Sequence, residues 1–569
     1  MLLAACGGTP PAATPPPLVT PPAVVEETLP TDRRELALLA LRRFDEKKYD
    51  DAVRILALAA DAYPEVAPFL RLRIVMAEEQ RGNAANAANL AAQIVATAPA
   101  SSAAAIARLR LPALYAESGD TVSTDSAYQQ LASIAIDELT EKAFLDTADR
   151  LAKAQRTDLA GAIRMRLLND YTQGRYTERV YGQLTDEIAK LSVDDKLALA
   201  QKLSKADRYD QALDLLGKIG DTNSEAYRAT RLRALFNSRN YETLLAETKV
   251  VALTDPALIL LRARAAWRND QPQEFLAGLA QVEKTAPNDV NLLRAKYYVT
   301  DEIDYPKAIA ALETAISANV PGTDGENIWN LGYTYTLAGQ YAEALHTFDL
   351  YIAAYPDGDW KTNSLFWSAK ILDKLGRAQE RDAKAQQVVA EFPFSYYAYR
   401  VKELWPQIKA EPRATPFPQF AEITDPRLTT IRALMDIGLS RDAASEAKLL
   451  SAAYPDDPGA AFLLADVYAR GGEPFKANGV LQKRFRDFVR HGGTNIPKRF
   501  WEILFPLAYF DVIRAEAEKR QLDPYLIASI IRQESGFEPT TVSNAGAVGL
   551  MQIMPAETTT ITTTNNVTT

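Results

Sequence analysis

The feature that most constrains this chain is a phrase that it repeats. Between Arg33 and Arg400 an aromatic residue and a short acidic or polar step open an apolar, alanine-rich run. The phrase reads YDDAVRILALAADAYP from Tyr49, YDQALDLLGKIG from Tyr209, YPKAIAALETAISANVPG from Tyr305 and YAEALHTFDLYIAAYPDG from Tyr341. In the first of these Ala52, Leu56 and Ala59 or Ala60 fall on one helical face, and a Tyr-Pro pair ends the run. Units of this size bury a continuous core only by stacking on their neighbours, so the expected fold is all-α, with a long curved α-solenoid over residues 33–410. The apolar residues of these helices are read as packing. The aromatic run FPFSYYAYR, Phe392 to Arg400, is read the same way, as a capping turn rather than a ligand platform.

One unit resembles the tetratricopeptide template of roughly 34 residues. Leu331, Gly332, Tyr335, Ala344, Phe348 and Pro356 fall at its spacing, with Ile328 where the template often has tryptophan. Gly332 and Ala344 let two antiparallel helices approach, and Tyr335 and Phe348 fill the gap beside them.

Charge and cysteine content exclude several functions. Lys plus Arg is 64 against 73 Asp plus Glu, a net charge of −9, which does not draw nucleic acid or anionic lipid over the length of the chain. Cys6 is the single cysteine, so no intrachain disulfide or Cys-based metal site is expected. His346 and His491 are far apart in sequence and are read as structural. No phosphate-binding, dinucleotide-binding or zinc-protease motif occurs. Neither a cofactor nor a metal is expected.

LAAC, Leu3 to Cys6, resembles the lipobox of bacterial lipoproteins, which implies lipid attachment at Cys6. Only Met1 and Leu2 precede it, where a signal has about 7 to 15 apolar residues, so residues 1–6 are read as a signal remnant. Residues 7–32 then form a proline-rich linker, a tether between anchor and body. No later run reaches about 18 uninterrupted apolar residues, so membrane contact is expected through the anchor only.

Near Ala410 a proline-interrupted stretch, AEPRATPFPQF, opens a helical linker domain, residues 411–504. A further segment, 505–557, contains LDPYLIASIIRQESG. Asp523 is the expected N-cap, Pro524 occupies the first helical position, and Gly536 ends the helix in the left-handed conformation near Ser535. At about 100° per residue Ile527 and Glu534 nearly align, with Ile530 and Ile531 flanking the line, which places Glu534 on the apolar face. Dehydration there, and the negative pole of a helix carboxyl end, both favour the protonated acid, the form that donates a proton. The plain alternative is a helix-end glutamate turned to solvent.

The text from Glu534 to Pro555, E-S-x-F-x-P-x-x-x-S-x-A-G-A-x-G-L-M-Q-x-M-P, resembles the signature of the lysozyme-like domain of soluble lytic murein transglycosylases, the Slt type. The resemblance implies a cell-envelope enzyme, periplasmic or lipid-anchored, that cleaves the β-1,4 bond between N-acetylmuramic acid and N-acetylglucosamine and leaves 1,6-anhydromuramoyl products. It implies Glu534 as the sole acid/base and Glu538 as a variable loop position. It also implies that Ser543, Gln552 and Met554 line the sugar groove, and that Gly546 and Gly549 form a turn where backbone approaches substrate; plain turn chemistry is the other account of the two glycines. Peptidoglycan glycan strands are the implied partner, with cell-wall synthesis proteins a second class through the solenoid. The family's domain ordinarily continues for about a hundred residues and includes an Ala-Tyr-Asn motif on the opposite wall of the groove. Here Glu557 replaces the usual threonine and residues 558–569 are a threonine-rich tail, so the lysozyme-like domain is read as partial. A hydrolytic muramidase and a noncatalytic scaffold binding peptidoglycan or a partner are the competing functions.

Overall fold

The computed structural model describes residues 29–220, 222, 224–249, 251–317, 325–411, 413–543 and 546–554. Cys6, most of the proline-rich segment and the threonine-rich tail lie outside them. The described residues form 31 α-helices and no strand; three isolated bridges are the whole of their β pairing. None of the described helices is long and apolar enough to cross a membrane.

Helices begin on tyrosine at Tyr49, Tyr209, Tyr305 and Tyr341, as the repeated phrase predicts, and also at Tyr241 and at Tyr396, the last behind a Ser395 N-cap. The other five are entered through one kind of turn. The residue two before the tyrosine is left-handed: Lys47, Asp207, Arg239, Ile303 and Gly339 all have positive φ. The next backbone N–H then reaches back across the turn, as from Lys48 to the Arg43 carbonyl at 3.0 Å and from Gln340 to that of Tyr335 at 2.9 Å, satisfying a carbonyl that the helix end leaves open. Left-handed residues recur at Gly82, Gly119, Gln155, Asp270, Gly376, Gly438 and Gly472, roughly one per 34-residue unit.

Within a unit, two helices pack through small residues. In the pair Glu326–Leu337 and Tyr341–Ala354, Leu331, Tyr335, Ala344 and Phe348 are buried. A Cβ on Gly332 would stand 2.7 Å from the Phe348 ring, so the glycine is required by close approach. In the helix Tyr49–Ala62 the buried residues are Ala52, Ile55, Leu56, Ala59 and Ala60.

The stack of helices returns on itself. One hydrophobic core contains both the first helices, from Leu36 to Ala127, and the later segment from Phe417 to Leu504. Polar contacts reinforce the junction: Arg73 pairs with Asp442, the Ser102 N–H donates to Glu446 Oε1 at 2.6 Å, and Lys448 Nζ lies 2.8 Å from Asp137 Oδ2. The same later segment grips the far end of the solenoid, where Arg486 pairs with Asp359 at 3.0 Å and His491 Nδ1 meets the Glu391 carbonyl at 2.7 Å. The path of contacts from the first helix to the last repeat is thereby closed.

Candidate active site

Two helices, Phe510–Lys519 and Pro524–Glu534, carry the C-terminal site. Asp523 caps the second by accepting from the Tyr525 N–H at 2.8 Å, and Pro524 fills its first turn. Ile513, Ala528, Ile531 and Phe537 make a small core, with Phe510, Ile527 and Leu550 partly buried against it. Gly536 follows the helix with φ +58°, and a Cβ there would meet the Phe475 ring at 2.4 Å. The next residue, Phe537, is also left-handed at φ +68°, held in that conformation by its buried ring.

Glu534 is the last residue of this helix and is exposed. The expected apolar placement is therefore corrected. The buried seam runs through Ala528, Ile531 and Ser535, not along the line from Ile527 to Glu534, and Glu534 stands about 90° off its centre, beside the exposed Ile530. The small side chains at Ala528 and Ser535 let the helix sit close to its neighbours, which turns the larger Ile530 outward. Among the described residues no hydrogen bond or ion pair holds the Glu534 carboxylate.

Ser535 fastens the return loop to the end of the helix. Its buried hydroxyl lies 2.8 Å from the Leu550 carbonyl and 3.2 Å from that of Ile531. Leu550 stands between Gly549 and Gln552, so this bond brings the turn of the proposed groove to the residue beside Glu534. Within the loop the Ala547 N–H donates to Ser543 Oγ at 3.0 Å, the Gly546 N–H to the Ser543 carbonyl at 2.9 Å, and the Gly549 N–H to the Thr541 carbonyl at 2.9 Å. Gln552 Nε2 donates to the carbonyls of Thr541 and Gly549 at 3.1 and 2.8 Å. Ser543 and Gln552 thus build the loop, which uses neither the serine O–H nor the glutamine Oε1 in these bonds. Gly546 and Gly549 have φ of +85° and +79°, and Met554 is exposed. Glu538 accepts from Thr540 N and Oγ1 at 3.1 and 2.6 Å and is committed to its own turn.

Two contributors escaped the sequence reading. Ser535 is one; it stands second in the signature that begins at Glu534, but its tie to the loop has no sign in the sequence. Arg532 is the other. Its guanidinium lies 4.9 Å from the centre of the Phe505 ring, its buried Nε has no partner, and burial pulls it below its ordinary pKa. It lines a cavity of about 330 Å³ with Phe475, Asn478, Gln482, Pro506 and Gly536. Nothing in its local sequence marks that environment, which comes from residues more than twenty positions earlier.

Comparison with known proteins bears on this segment and on the helices before it. Residues 511–568 match the Transglycosylase SLT domain family, and residues 326–358 a tetratricopeptide repeat family. A transglycosylase of Enterobacteria phage PRD1 is 44% identical over 50 residues, 9% of this chain and 19% of the phage protein. The soluble lytic murein transglycosylase of Escherichia coli K12 is 39% identical over 65 residues, 11% of this chain and 10% of that protein. The matched part thus spans under a fifth of these relatives' length. The crystal structure of the 70 kDa soluble lytic transglycosylase of Escherichia coli superposes with a TM-score of 0.50 at 17% identity, covering 94% of this chain and 82% of that one. A 70 kDa soluble lytic transglycosylase in complex with bulgecin A gives 0.51 at 18% identity over the same shares. At such identity the likeness establishes the all-α fold.

Proposed function

Because residues 511–568 belong to the transglycosylase SLT domain family and the helices before them share the fold of soluble lytic transglycosylases, we propose that this chain cleaves the MurNAc–GlcNAc β-1,4 bond of peptidoglycan. Glu534 is the acid and the base. Its proton goes to the bridging oxygen as the bond to muramoyl C1 breaks. The resulting carboxylate takes the proton of the muramoyl C6 hydroxyl, whose oxygen bonds to C1 and closes a 1,6-anhydro ring. The nucleophile is supplied within the substrate, so one carboxyl serves where most glycosidases use two. The Ser543 hydroxyl, the Gln552 carbonyl oxygen and the Met554 side chain contact the sugars, and the turns at Gly546 and Gly549 bring backbone near them. An envelope location, with lipid on Cys6, belongs to the same proposal.

The observation that supports this reading best is the Ser535 bond to Leu550, which ties the loop of Gly549 and Gln552 to the residue after Glu534. The test is incubation of the chain with purified murein sacculi and mass analysis of the soluble products. Anhydro-muropeptides, lighter by one water than hydrolysis products, are expected, and none from Glu534→Gln. Hydrated products would assign a muramidase instead.

The exposure of Glu534 favours a second reading, a scaffold that binds peptidoglycan or a synthesis partner without turnover. Binding of sacculi with no soluble product from the unsubstituted chain selects it.

A further inference from the structure

Phe394 and Tyr396 were read from sequence as packing, yet they are 49% and 67% exposed. Both line a cavity of about 540 Å³ where the last repeat meets the later helical segment, with Asn363, Gln482 and Arg486 among its polar walls. The Phe394 ring lies 4.6 Å from that of Trp501, and Trp501 stacks on Phe505 at 6.3 Å and 13°. Phe505, itself 45% exposed, carries the Arg532 guanidinium 4.9 Å from its ring centre. Arg532 lies two residues before Glu534 on the same helix, on nearly the opposite face. Gln482 lines both this cavity and the one beside Arg532, so the two hollows adjoin. A broken line of half-exposed rings therefore leads from the end of the solenoid to the helix that bears the candidate acid.

We propose that this line is a track for a glycan strand, holding sugars remote from the cleaved bond. Rings left in water at a concave junction mark a binding surface. Pyranoses present an apolar face to a ring and hydroxyls at their edge. The track offers both complements, ring faces along its course and amide or guanidinium groups beside them at Asn363, Gln482 and Arg486. Its extent, two adjoining hollows that share Gln482, favours a strand over a separate small ligand. The inference rests on the reading of Glu534 as acting on peptidoglycan.

The test uses the full chain carrying Glu534→Gln, so that bound strands survive. Titration calorimetry compares long peptide-free glycan strands with a tetrasaccharide of the same repeat. The double substitution Phe394→Leu, Tyr396→Ala should weaken long-strand binding by about tenfold and leave the tetrasaccharide unchanged. Tyr396→Ala alone, at a highly exposed position, should show part of the loss with an unaltered melting profile. Equal long-strand affinity in all three proteins overturns the track, as does an absence of long-strand binding, which leaves the face to a protein partner. Ring-dependent binding in a chain whose Glu534 form releases no anhydro product would retain the track and remove only the catalytic reading.

Discussion

The Ser535 hydroxyl lies 2.8 Å from the Leu550 carbonyl oxygen, so the residue after the candidate acid is fastened to the loop that carries Gly549 and Gln552. Ser535→Ala leaves that carbonyl without its partner, at a cost of about 1–3 kcal/mol to the local structure. Faster hydrogen exchange at the Val548 and Gly549 amides is expected, and turnover on sacculi should fall about tenfold or more because the loop loses its register with Glu534.

Glu534 is exposed, and among the described residues no hydrogen bond or ion pair holds its carboxylate. Glu534→Gln should leave thermal unfolding unchanged while product release stops. Loss of activity accompanied by an early melting transition would instead point to a structural role.

Gly536 joins a left-handed backbone to a close neighbour. Gly536→Ala should destabilise the C-terminal helices by about 1 kcal/mol from backbone strain, with more from the clash with Phe475. Phe475→Ala relieves only the second part. A double-mutant cycle in urea should therefore give a coupling of about 1 kcal/mol between the two positions.

The junction that returns the solenoid on itself depends on pH through Asp137. Burial pushes its carboxyl up, but the Lys448 ammonium at 2.8 Å and the N–H groups of Leu139 and Thr140 outweigh this and hold it below its ordinary value. Such a depressed group contributes stability above the ordinary aspartate value of about 3.9, and loses it as pH falls through the folded value. Lys448→Met should cost about 1 kcal/mol at pH 7, discounted for the partial exposure of the pair. Urea unfolding repeated at falling pH should show parent and variant converging below the ordinary aspartate value.

Helix type and the opening tyrosines were legible because the residues that carry them are local. The turns between helices were only half legible. Gly82, Gly339 and Gly376 advertise a left-handed backbone and Asp207 and Asp270 hint at it, whereas Lys47, Gln155 and Arg239 adopt it without any compositional sign. The helix of the site was placed correctly by Asp523, Pro524 and Gly536, but its orientation was not. Large isoleucines suggested a face that includes Glu534, while the buried seam uses Ala528 and Ser535, whose small size carries little hydrophobic signal. The contacts of Arg73 with Asp442 and of Ser102 with Glu446 join residues more than three hundred positions apart, and no periodicity encodes such pairings.

A linear repeat array frays from its two termini, where the outermost unit has a neighbour on one side only. Here the initial unit is covered by the segment from Phe417 to Leu504, which also holds the final one. Neither terminus is left to peel, so unravelling has to begin by breaking a seam, and the array should come apart in one concerted event rather than unit by unit.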